Sequence, residues 1–210
     1  MSQNRSSAVM QQRSEPHQSL DDFPTPPWAT RALLEHLNGR LWWPYFDGQS
    51  VREPAANRGH MVRPLAEYFG RVEASDIHDY DAGFPVQDYL FGPPPVHTDW
   101  TITNPPFRLA EQFVDRALAC SDNVAVIVRS AFLEGVGRHK ALFSVHRPHL
   151  VLQFTERVVM HKGKLSPKGS TATAYCWIVW GKHFSGSTMF DWIKPCRKQL
   201  ERPSDYEASP

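Results

Sequence analysis

Cysteine is scarce and scattered. Cys120, Cys176 and Cys196 lie far apart and form no C-x-x-C pair. That argues against a disulfide framework and against a thiolate zinc cluster, and it fits a reducing compartment. Long apolar runs are missing as well. None approaches the ~18–20 residues that span a bilayer, so no membrane partner is expected. The opening stretch, MSQNRSSAVMQQRSEPHQS, lacks the apolar core of a secretory signal, which predicts a cytoplasmic protein. There is no excess of one charge either: the net charge is +1 over 210 residues, unlike a strongly basic nucleic-acid-binding domain. G-x-G-x-x-G and G-x-x-x-x-G-K-[ST] are both absent, which disfavours nicotinamide enzymes and P-loop hydrolases. The ten histidines include no H-E-x-x-H, and His146 with His149 reads as a solvated pair, so no metal site is expected.

What remains is an ordinary globular composition, 41% hydrophobic and 21% charged, in a length that suits one domain. Residues 1–20 are polar and aperiodic and are expected to be a disordered tail. Residues 21–184 are expected to form the domain, and 185–210 an irregular tail in which Phe190, Trp192 and Ile193 dock on the body. Within the domain, strand and helix signals alternate. Helices are expected at 27–38, 61–69, 109–119 and 137–143. Strands are expected at 50–54, 71–77, 98–103, 123–130, 150–155 and 174–180. Asn123 to Ser130 carries the fully apolar run VAVIV inside it, as in a strand buried on both faces. Alternation of this kind predicts an α/β, doubly wound, mostly parallel sheet. The last two strand signals have no helical pattern between them, which predicts an antiparallel hairpin at one edge.

Open sheets of this type bind ligands at the carboxyl ends of their strands. The first such end is Glu53-Pro54-Ala55-Ala56-Asn57-Arg58-Gly59, a turn of small residues that lets backbone N–H groups approach a ligand. Seventeen residues after Gly59, the second strand ends at Asp76, whose two carboxylate oxygens can accept both hydroxyls of a ribose. Each feature alone is an ordinary turn or strand end; the pair at this spacing favours a nucleotide-like cofactor. The third strand closes on Asn104-Pro105-Pro106-Phe107. Two prolines lock φ and remove two donors, leaving carbonyls free beside the Asn104 amide. The Asn104 side-chain oxygen and the Pro105 carbonyl can accept from an amino group about to be alkylated. Phe107 offers a flat face for an extruded base.

EPAANRGHM, ASDIHDY and TNPPF, in that order, resemble the motifs of class I S-adenosylmethionine-dependent amino-methyltransferases. They resemble in particular the N6-adenine DNA methyltransferases, above all the short stand-alone kind of phages and prophages. FPTPPWAT upstream and TATAYCWIVWGK downstream are similar to that family's flanking segments, so the likeness runs from about Asp21 to Lys182. The resemblance implies S-adenosylmethionine as cofactor and a Rossmann-like fold with a seven-stranded sheet. It implies that Pro24, Thr25 and the run Glu53, Pro54, Ala55, Asn57, Gly59 surround the cofactor's amino-acid part. Asp76 would then bind the ribose, Ile77 pack on its adenine, and Asp88 accept from the adenine amino group. Asn104, Pro105, Pro106 and Phe107 would form the catalytic loop. Asn57 stands where the family has glycine, and Asn tolerates the left-handed conformation better than most residues.

The implied reaction is direct transfer from the sulfonium methyl to adenine N6, with no general base evident. Glu156 to Ser170 carries Arg157, Lys162, Lys164 and Lys168 against the single acid Glu156, and these cations are expected to contact DNA phosphates. Little chain remains after the sheet for a recognition domain, which predicts low or short-site sequence selectivity. Adenine in RNA is the nearest alternative substrate. Protein glutamine and cytosine N4 rank lower, and a non-catalytic nucleic-acid-binding domain is the alternative outside enzymes.

Overall fold

The computed structural model describes residues 21–38 and 45–206; the tail expected over 1–20 lies outside them. Seven strands make one sheet: β1 (Ser50–Glu53), β2 (Arg71–Ala74), β3 (Thr98–Thr103), β4 (Ser121–Arg129), β5 (Leu150–Phe154), β6 (Tyr175–Gly181) and β7 (Met189–Ile193). The spatial order is β2-β1-β3-β4-β6-β5-β7. Neighbours β2, β1, β3 and β4 run parallel, β6 is antiparallel to both β4 and β5, and β7 is parallel to β5. The expected α/β sheet is present.

Side chains alternate between the two faces of a strand, and both faces are covered, which explains why β4 is apolar over residues 124–128 and β6 over 175–180. Val124, Val126 and Val128 of β4, with Cys176, Ile178 and Trp180 of β6, pack in one layer with Ala110, Val114 and Ala117 of helix α3 (Ala110–Cys120). The intervening Ala125, Ile127, Trp177 and Val179 face the other layer, with Trp28, Leu33, Leu34 and Leu37 of helix α1 (Pro27–Leu37). Proline in its first turn suits α1, since the missing N–H is one that no helix satisfies there. Trp177 Nε1–H donates to the Ala29 carbonyl at 3.1 Å, pinning α1 to the sheet.

Four expectations are corrected. The antiparallel pair β5–β6 is not at the sheet edge, because β7 pairs beyond β5. That strand comes from the 185–210 segment expected to be irregular, which also supplies helix α5 (Arg197–Leu200) and a 3-10 turn at Pro203–Tyr206. The reason is orientation: Ile193 is buried, but Phe190 and Trp192 point outward, 51% and 56% exposed. The apolar residues that suggested docking mark the solvent side of an edge strand. The helix expected at 61–69 is shorter, α2 (Val62–Leu65) followed by turns, and the one at 137–143 begins as α4 (Val136–Arg138) and widens into a π turn at His139–Phe143.

From β1 the chain steps outward to β2; it then returns past β1 to β3 and continues to β4. The direction of winding reverses between β1 and β3, so their carboxyl ends open a crevice there.

Candidate cofactor cleft and catalytic loop

Glu53 ends β1 at this crevice and is fully buried. Its Oε1 accepts from Thr103 Oγ1 at 2.6 Å, tying β1 to the end of β3, and from the Ala55 N–H at 2.9 Å. Its Oε2 has no partner. Burial pushes the carboxyl up to about 8 against those two bonds, with Asp76 adding repulsion.

The turn after Glu53 is shaped by two residues in the left-handed region. Asn57 has φ 50, and its Nδ2 donates to Asp22 Oδ1 at 2.8 Å. Gly59 has φ +78, and a Cβ there would meet the Phe84 ring at 3.0 Å. These conformations turn the Asn57 N–H onto Asp76 Oδ2 at 2.8 Å, while the His78 N–H reaches Asp76 Oδ1 at 3.0 Å. Each oxygen of Asp76 keeps a second lone pair for a ligand hydroxyl. Just past β2, Asp76 bridges Val86 in parallel fashion, which brings Asp88 to the same rim.

A cleft runs along these ends, lined by Pro24, Thr25, Pro54, Ala55, Asn57, Asp76, Ile77 and Asp88, together with Asn104 and Pro106. Its charged lining is acidic, Asp21, Asp76 and Asp88, whereas His60 is neutral. Burial, then Arg63 and Arg58, push the His60 imidazole down to about 4, and its Nδ1 accepts from Arg63 at 2.8 Å. Thr25 Oγ1 is buried in the cleft wall without a partner. An acidic cleft with an orphaned hydroxyl, a carboxylate with spare lone pairs, and the 58%-exposed side chain of Ile77 fits a ligand with cationic, ribose and flat apolar parts.

The loop after β3 is held from outside by the segment before α1. Asn104 Nδ2 donates to the Phe23 carbonyl at 2.9 Å, and the Phe107 N–H donates to Asp21 Oδ2 at 2.8 Å. With its NH₂ committed, the Asn104 amide has one orientation. Its Oδ1 is then a buried acceptor with no partner. The Pro105 carbonyl accepts no backbone N–H among the described residues, whereas the Pro106 carbonyl takes the Leu109 N–H. Beyond the loop lies a second cavity of about 810 Å³, lined by Phe23, Met160, Arg129, Lys162 and Lys164, with no carboxylate in its wall among the described residues.

No family model matches the sequence, and no curated protein does. Solved structures do. A Listeria monocytogenes protein described as a class I S-adenosylmethionine-dependent methyltransferase is similar at TM-score 0.61 and 11% identity, over 90% of this chain and 70% of its own. A protein from Pyrococcus horikoshii described as an RNA methyltransferase gives 0.56 at 18% identity, over 81% and 92%. A modification subunit of a type I restriction enzyme from Vibrio vulnificus gives 0.55 at 16% identity; 80% of this chain matches 46% of that one. The chain has the class I methyltransferase fold.

Within this methyltransferase fold, eight of the ten expected cofactor residues line the cleft; Glu53 lies behind it and Gly59 shapes its turn. Asn104 and Pro106 reach the cleft, while Pro105 is buried and Phe107 faces the second cavity's Arg129. The basic loop divides. Lys162 and Lys164 line the second cavity; Arg157 bonds the Ala172 carbonyl, and Lys168, whose backbone closes a local turn with Ser166, is exposed outside that lining. Sequence reasoning missed Asp21, Asp22, His60, Met160 and Arg129. Arg129 alone carried a signal, being the charged end of an apolar strand at the sheet's ligand-binding side.

Proposed function

We propose that this chain is an S-adenosylmethionine-dependent methyltransferase acting on the N6 amino group of adenine in DNA. The observation that carries this reading is the Asn104 amide. Its donor side is fixed by Phe23, and its acceptor side is buried and vacant between an acidic cleft and a basic cavity. A buried unpaired acceptor is unfavourable unless a donor arrives, and an exocyclic amino group is such a donor. Bound S-adenosylmethionine supplies an electrophilic methyl on a sulfonium. Asn104 Oδ1 and the Pro105 carbonyl accept the two N–H hydrogens. This turns the nitrogen lone pair toward the cleft and stabilises positive charge as it develops. Phe107 carries the ring plane of the base. Lys162 and Lys164, with Arg129, draw the phosphates.

The proteins of similar fold include one methyltransferase described as acting on RNA and a modification subunit of a type I restriction enzyme, which suits a nucleic-acid substrate. Lys162, Lys164 and Arg129, with no acid beside them among the described residues of the second cavity's wall, favour the same class over a protein substrate. The test is transfer of labelled methyl to duplex DNA, single-stranded DNA and RNA, followed by nucleoside analysis. N6-methyladenine in DNA is expected. Asn104→Ala should lower turnover at least a hundredfold while cofactor affinity stays within a factor of two or three. Label confined to RNA moves the substrate to RNA adenine; near wild-type turnover in Asn104→Ala refutes the assignment of the loop.

A further inference from the structure

The Phe107 ring is not open. The Arg129 guanidinium lies over it at 4.0 Å from the centroid, and the Phe23 ring is tilted against it at 5.4 Å. Arg129 closes β4, is exposed, and its guanidinium makes no hydrogen bond or ion pair among the described residues. It is a planar cation in a cavity that already holds Lys162 and Lys164 and has no acid in its wall among the described residues.

Resting on the proposed function, we propose that Arg129 is a placeholder for the target base and selects polynucleotide over free nucleoside. At that height over the ring the guanidinium occupies the place of a stacked base, so base and arginine exclude one another. Two arrangements follow when adenine enters: the arginine closes over the base as a second wall, or it leaves. Charge decides between them. Transfer places positive charge on the amino nitrogen, and a guanidinium about 4 Å away near a protein surface would slow the step on the order of a thousandfold. The arginine therefore leaves, and the departure needs a new partner. A backbone phosphate of the nucleotide being seated supplies one. A free nucleoside supplies none and must compete with the resting cation for the ring.

The test is Arg129→Ala and Arg129→Lys, each assayed for methyl transfer to an adenine-containing DNA oligonucleotide and to adenosine. S-adenosylhomocysteine affinity serves as the check of an intact fold, which an exposed residue should leave unchanged. For Arg129→Ala the two substrates should respond in opposite directions. Oligonucleotide kcat/KM should fall about tenfold and its salt slope flatten by about 0.9, one phosphate contact, while adenosine kcat/KM rises several-fold. Arg129→Lys should restore the slope, being a cation, yet keep the raised adenosine rate, having no plane to stack. A parallel fall for both substrates would overturn the proposal and make Arg129 a second wall of the base slot. No change for either overturns it too. Wild-type transfer to the oligonucleotide is the separate gauge of the proposed function, so an active enzyme with the wrong sign in Arg129→Ala refutes the placeholder alone.

Discussion

Glu53 gives a pH dependence whose sign is fixed by its surroundings. The carboxyl is buried, bonded through one oxygen only, and pushed up from 4.5 to about 8, chiefly by burial. A raised folded pKa means that the folded chain holds a proton which the unfolded chain has released. Its contribution is fully present below about pH 4.5 and is lost as pH climbs toward 8. In that window the loss is about 1.4 kcal/mol per pH unit, hence roughly 4 kcal/mol between pH 5 and 8, levelling off above. Glu53→Gln mimics the protonated form: its carbonyl can still accept from Thr103 and Ala55. Urea unfolding of both proteins in steps from pH 5 to 9 isolates this residue, because every other titrating group is shared. The stability difference should be small at pH 5, grow in the variant's favour to pH 8 and then stay constant. Parallel pH profiles would mean that water or a neighbour stabilises the carboxylate, and the account of Glu53 as a desolvated group would be wrong.

Asn57→Ala should destabilise the protein by about 1–2 kcal/mol and weaken S-adenosylhomocysteine binding, since alanine at φ 50 is strained and loses the bond to Asp22, whereas Asn57→Gly keeps the turn. Thermal melts and calorimetric titration decide it; equal behaviour of the two variants would show that the left-handed turn is not required. Arg31, buried in α1, holds Glu67 and Asp205 at 2.8 Å each and bonds the Leu200 carbonyl. Arg31→Met should therefore lose about 3 kcal/mol or more in denaturant unfolding and expose the 197–206 segment to protease, and a loss below 1 kcal/mol would refute its role as the C-terminal anchor.

Sheet and cleft were legible where local pattern and tertiary demand agree. VAVIV in β4 is apolar because both faces are covered. The two turns that end β1 and β3 carry small residues and prolines, and both open onto the cleft. β7 was illegible because Phe190 and Trp192 contradict the usual inside–outside rule, and pairing at a far edge leaves no local mark. The hold on Asn104 was illegible for another reason: the Phe23 carbonyl is 81 positions away, and any residue there carries the same atom. The basic loop could be read as charge but not as contact, since composition does not say which lysines turn inward.

Phe23 belongs to the walls of both cavities. The two therefore share a wall at that residue. One small molecule could straddle it, with an adenosyl-like half in the acidic cleft and a purine-like half on the basic side, joined by a short tether beside Asn104. Such a conjugate would engage two subsites for a single loss of translational freedom, an advantage neither half has alone.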